Sequence, residues 1–106
     1  MKYGTSSNRE EASMKYAVWY FWDGLGFLYR NGLIDEDTMY SLNSAGGITY
    51  MWKKFGSVIQ EIRTRYNMPQ LGVDMEYLAE EHRKMLVKRG YDPEPPEELG
   101  KYIPDQ

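Results

Sequence analysis

At 106 residues the chain has room for one domain, and a domain of this size buries roughly 60–70% of its unfolded surface. It contains no cysteine, which excludes disulfides and thiolate metal sites, and its formal charge is −3. Residues 91–106 hold five acids against Lys101 alone, so the rest of the chain is close to neutral and lacks the concentrated basic face of a DNA-binding domain.

The first residues, MKYGTSSNREEAS, contain no apolar run of the kind a signal peptide needs. Asn8 followed by Glu11 three residues later has the spacing of a capping box and predicts a helix start. That helix is expected to run to about Arg30, where Asn31-Gly32 tolerates a left-handed C-terminal turn. Within it, Tyr16 to Tyr29 reads YAVWYFWDGLGFLY, seven aromatics among fourteen residues with Asp23 as the only charge. The longest unbroken apolar run, Tyr16–Trp22, is far shorter than the ~20 residues of a membrane span.

A second helix start follows at once. Asp35 stands as an N-cap with Glu36 and Asp37 in the first turn, where the helix dipole favours negative charge. Ile34 and Met39 occupy the positions of a hydrophobic staple. This helix is expected to be short, because Asn43-Ser44-Ala45-Gly46-Gly47 interrupts it. A third helix is predicted over roughly Ile48–Tyr66, with Ile48, Met51, Trp52, Phe55, Ile59, Ile62 and Tyr66 forming an apolar stripe and Arg63 and Arg65 in the last turn. Asn67-Met68-Pro69 ends it. The fourth is predicted from near Asp74 to Arg89, with Met75, Leu78, Ala79, His82 and Leu86 on one side and Gly90 as its stop. The prolines of Tyr91-Asp92-Pro93-Glu94-Pro95-Pro96 cannot continue a helix. Residues 1–90 therefore read as a helical domain and 91–106 as an irregular acidic, Pro-rich tail, with a turn of helix expected at 97–102. The predicted fold is all-α: a compact bundle of three main helices and one short one.

At 100° per residue, Tyr16, Tyr20 and Phe27 share one face of the first helix, Phe21 and Leu28 another, and Val18, Trp22, Leu25 and Tyr29 a third. A helix apolar on all sides must be enclosed. The other three helices can cover about half of it, which predicts an exposed aromatic patch and hence a partner. Gly24 and Gly26 would allow another backbone to approach closely. Tyr16, Trp19, Tyr20, Trp22, Phe27 and Tyr29 are the candidate interface residues, serving a homodimer or a subunit of a larger complex.

Asp23 is the residue whose position invites a mechanism. Beside Trp19, Trp22 and Phe27 its charged form would be disfavoured, as in a general acid. Contact with solvent or with a cation from another helix is the expected outcome, because no nucleophile or second acid accompanies it. His82, the only histidine, has Leu78, Ala79, Met85 and Leu86 at helical ligand spacings, so no metal pair forms and a packed histidine is expected. Gly46-Gly47 lacks the strand and the Gly-Lys-Ser/Thr that a phosphate loop requires. Lys53-Lys54 and the group Arg83, Lys84, Lys88 and Arg89 could touch phosphates, but each suits a solvated face.

Four segments carry a resemblance: Phe21-Trp22-Asp23-Gly24-Leu25-Gly26-Phe27-Leu28, Arg30-Asn31-Gly32-Leu33-Ile34-Asp35, Trp52 with Ile59 and Arg63, and Met75-Glu76-Tyr77-Leu78-Ala79. Over residues 16–90 the chain resembles an uncharacterised prokaryotic family of small helical domains, a domain of unknown function. The resemblance implies a helical fold and supplies no activity, cofactor or catalytic residue. Many members carry the domain after an N-terminal membrane helix, which is not expected here. The leading expectation is a soluble, cytoplasmic, non-enzymatic assembly module without metal or cofactor and without a nucleic-acid partner. The alternatives are a small-ligand or enzymatic pocket around Asp23 and the tyrosines, and a weak nucleic-acid binder.

Overall fold

The computed structural model describes residues 6–43 and 47–94, with side chains from Ser13 onward. Among the described residues there are four helices and no strand: α1 (Ser6–Arg30), α2 (Glu36–Leu42), α3 (Gly47–Arg65) and α4 (Val73–Lys88). The chain is all-α, with three long helices and one short one. The backbone of α1 is already helical from Ser6, so Asn8 lies inside the helix and not at its expected N-cap. The side chains of Asn8 and Glu11, the Ser44-Ala45-Gly46 part of the break, and residues 95–106 with their expected turn lie outside the described residues.

Three helices end in the same way, and for the same reason. At the end of α1, Gly32 adopts φ +75°, its N–H bonds the Tyr29 carbonyl at 3.1 Å, and the Leu33 N–H reaches the Leu28 carbonyl at 2.9 Å. This nested pair satisfies carbonyls that a helix end otherwise leaves open. Asn67 (φ +53°) and Gly90 (φ +84°) end α3 and α4 likewise, with Met68 N–H on Arg63 and Tyr91 N–H on Leu86, each at 2.9 Å. The turn at Asn67 corrects one expectation: Tyr66 lies beyond the end of α3 and is exposed, outside the apolar stripe.

The carboxylate of Asp35 accepts the Thr38 N–H at 2.7 Å and caps α2, and these amide bonds hold its pKa below the usual carboxylate value. At the other end of α2, Asn43 is buried and its side-chain oxygen accepts the Ile48 N–H at 2.9 Å. With its backbone N–H on the Met39 and Tyr40 carbonyls, each at 3.2 Å, one residue thus supports both ends of the break, where the sequence showed only an interruption.

The long helix α4 packs along both α1 and α3. The core consists of Trp19 from α1, Met39 from α2, Ile48, Phe55 and Ile59 from α3, and Met75, Leu78, Ala79 and Met85 from α4. Against the C-terminal end of α4 sits α2: Lys88 and Arg89 reach Glu36 at 3.2 and 3.1 Å, and Arg89 reaches Asp37 at 3.1 Å. The Arg89 guanidinium also lies 4.1 Å above the Tyr40 ring, which in turn stacks on His82. The cation–π contact and the partly buried Arg89–Glu36 pair together hold α2 against α4, while the more exposed Lys88 and Asp37 pairs add little.

Where α1 meets α4 the two backbones touch. A Cβ on Gly26 would overlap the carbonyl of Asp74 and lie 3.3 Å from Leu78 Cβ. Relief would require the helices to separate along their main contact. Gly26→Ala is therefore expected to destabilise the fold by about 1–3 kcal/mol or more, despite alanine's better helix propensity, as read from urea unfolding.

Candidate interaction surface

Helix α1 has two faces with different duties. Trp19, Asp23, Gly26 and Arg30 recur at spacings of three and four, which puts them on one side. That side meets the first turn of α4. The N-cap position of α4 is Gly72, a glycine at φ +67° with no side chain to offer the helix amides. Asp23 supplies the missing acceptor from 52 residues away: its Oδ1 takes the Met75 N–H at 2.8 Å. Negative charge at this helix end also complements the dipole. Asp23 is thus a capping residue for another helix, where solvent or a cation was expected.

The same turn is held by two further ion pairs. Arg30 pairs with Asp74, and Arg63 from α3 pairs with Glu76 at 3.0 Å. Arg63 also donates from Nε to the Leu71 carbonyl at 2.6 Å, and its guanidinium lies 5.8 Å from the Trp52 ring. Carboxylates at 74 and 76 serve a second purpose here, since both stand in the first turn of α4.

The crevice beside Asp23, bordered by Tyr16, Trp19, Tyr20, Ile59 and Met75, has a volume of about 20 Å³, space for about one water molecule. His82 is 2% exposed, and burial first, then the charge of Arg89, pushes its pKa below the usual value. No group of three or more His, Asp or Glu side chains is placed to hold a metal ion among the described residues. The cations toward the end of α4 face carboxylates: Arg83 pairs with Glu94, Lys84 with Glu81 at 3.0 Å, and Lys88 and Arg89 with Glu36.

Beyond that side, several aromatic rings of α1 stay exposed. Tyr16 and Phe27 are 49% exposed, Phe21 58% and Tyr20 70%. Of the six expected interface residues, Tyr16, Tyr20 and Phe27 are exposed. Trp22 and Tyr29 are half-buried against the core. Trp19 belongs to the core itself, edge-on to Phe55 with ring centroids 5.6 Å apart. Its burial removes it from the surface, because the Trp19 position points between α3 and α4. Phe21, not in the expected set, is on the surface; its separation by 100° steps from Trp19 and Trp22 was the available signal. Of the two glycines, Gly26 is the close-approach site within the chain, while Gly24 faces open space.

These features define a small all-α domain of three long helices and one short one, with an aromatic outward face on the first. The chain belongs to the family described as Domain of unknown function (DUF4760), whose profile matches residues 2–82. The match takes in α1, α2, α3 and the N-terminal part of α4. No curated protein and no solved structure is significantly similar to it. No helix among the described residues is long and apolar enough to cross a membrane.

Two predictions follow from the buried polar groups. Asp23→Ala removes the cap of α4 and is expected to lower the unfolding free energy by about 1–2 kcal/mol, while Asp23→Asn keeps an acceptor and loses less. His82 has a folded pKa below its unfolded value, so the unfolded chain binds the proton more readily. Stability is therefore full above pH ~6.5 and falls as the pH drops toward the folded value. Urea midpoints measured between pH 7 and 5 should show this loss, and His82→Gln should flatten it.

Proposed function

We propose that this domain is a non-enzymatic protein-interaction module that assembles through the outward face of α1, as a homodimer or as a subunit of a larger complex. The observation that carries this reading is the exposed aromatic surface of Tyr16, Tyr20 and Phe27 with Phe21 on the adjoining face, 49–70% exposed, without a charged residue between positions 16 and 29 apart from the inward-facing Asp23. Contiguous apolar patches of this kind are uncommon on monomers and mark interaction sites. Tyrosine and phenylalanine suit the role because they bury large areas with few rotatable bonds. The side chains that could have served chemistry support the fold instead: Asp23 caps a helix, His82 packs beneath Tyr40, and Arg63 ties a loop to α4. The proposal sets the domain in the cytoplasm, a setting that a chain without cysteine suits.

Molar mass by light scattering across a concentration series tests this reading. The wild-type chain is expected to run as a dimer, and Tyr20→Lys with Phe21→Lys as a monomer with unchanged helix content by circular dichroism. Both sites are exposed, so these charges leave the core intact. A monomeric wild type at every concentration would exclude self-assembly through this face.

A further inference from the structure

We infer that the outward face of α1 pairs with the same face of a second copy, antiparallel, with the two-fold axis passing between Phe21 and Gly24. The inference rests on the assembly reading above and adds the partner and its geometry.

The centre line of the exposed face is a seam of alternating size. Ala17, Phe21, Gly24 and Leu28 follow one another at spacings of four, three and four, the rhythm of a coiled-coil seam. All four are exposed except for the buried part of Leu28, which is 36% exposed. An antiparallel pair centred midway between Phe21 and Gly24 sets each Phe21 ring against a Gly24 and each Leu28 against an Ala17. Large meets small at every step, on both sides of the axis. A parallel pair would set ring against ring and glycine against glycine, leaving a gap at one level and crowding at the next.

Gly24 itself needs an explanation that the described residues do not contain. A glycine inside a helix costs about 1 kcal/mol relative to alanine, and a Cβ at this position would meet nothing within 4 Å. Packing within the chain therefore places no demand for glycine at 24, in contrast to Gly26. Close approach of a second backbone supplies the demand.

Charge and area point to the same partner. The one ionic group between Tyr16 and Tyr29, Asp23, is turned onto α4, so the seam from Ala17 to Leu28 carries no charge to oppose its copy. A partner selected by charge would find nothing to read here. At ~200 Å² per ring, the exposed fractions of Tyr20, Phe21 and Phe27 amount to about 350 Å². The adjoining Met14, Val18 and Leu28, exposed by 55, 38 and 36%, carry the patch toward the ~800 Å² per partner of a standard interface.

The absence of native cysteine makes a direct test possible in the full chain. Ala17→Cys and Leu28→Cys variants are prepared separately, checked by circular dichroism, mixed in equal amounts and mildly oxidised. The expected product is a disulfide joining position 17 of one copy to position 28 of the other, identified by mass spectrometry. Ala17→Cys alone should give on the order of tenfold less linked dimer, because its two sulfurs would sit roughly 16 Å apart along the helices. Efficient linking of Ala17→Cys to itself would overturn the antiparallel geometry. So would an unlinked mixture that light scattering shows to be dimeric and that Tyr20→Lys dissociates; either result leaves the assembly reading standing. A monomer at all concentrations, or a dimer indifferent to Tyr20→Lys, overturns this geometry together with self-assembly through this face.

Discussion

The arrangement of this domain depends on how the N-terminal end of α4 is held. That helix begins at a left-handed glycine with no capping side chain, so its first amides must find acceptors elsewhere. Asp23 provides one from the middle of α1, and Gly26 lets the α1 backbone come close enough for it to reach. Arg30 and Arg63 then grip the carboxylates of the same turn from either side. A helix end that would be a weak point on its own becomes the place where the three long helices are brought into register. The remaining polar groups follow the same logic at smaller scale, with Asn43 joining α2 to α3 and Arg89 tying α2 to the far end of α4.

This clamp decides which half of α1 is available to anything else. Once Asp23, Gly26 and Arg30 are turned toward α4, the helix cannot rotate without losing the cap, the close contact and an ion pair together. The rings of Tyr20, Phe21 and Phe27 are then committed to the outside. Burying them within a chain of this size would take another helix, which the described residues do not contain. Apolar area on a rigid, fixed helix face is the form in which a binding surface loses least entropy on association. The exposed aromatics are therefore a consequence of the same interactions that stabilise the fold.

The chemistry-bearing side chains illustrate a related point. Asp23 and His82 stood out in the sequence as the acid among aromatics and the single histidine. In the structure the first completes a hydrogen-bonding requirement of a neighbouring helix, and the second fills core volume against Tyr40 with its neutral form favoured by burial. Both positions obey the rule that buried polar groups must find partners or shed charge.

Much of the fold was legible in the sequence because the signals are local. Asp35 with its following acids, the αL-prone Asn31-Gly32, Asn67 and Gly90, and the three-four spacing of Ile48, Phe55 and Ile59 act over one or two turns, and apart from the start of α1 the helices begin and end within about a residue of their expected limits. The aromatic load of Tyr16–Tyr29 likewise announced a helix that the described residues do not wholly cover. What the sequence could not reveal is the pairing of groups far apart along the chain. Nothing local links Asp23 to the amide of Met75, distinguishes the packed Gly26 from the open Gly24, or sends Trp19 inward while Phe21 stays out. Those outcomes depend on the rotation of α1 about its axis, and that rotation is set only when α4 docks against it.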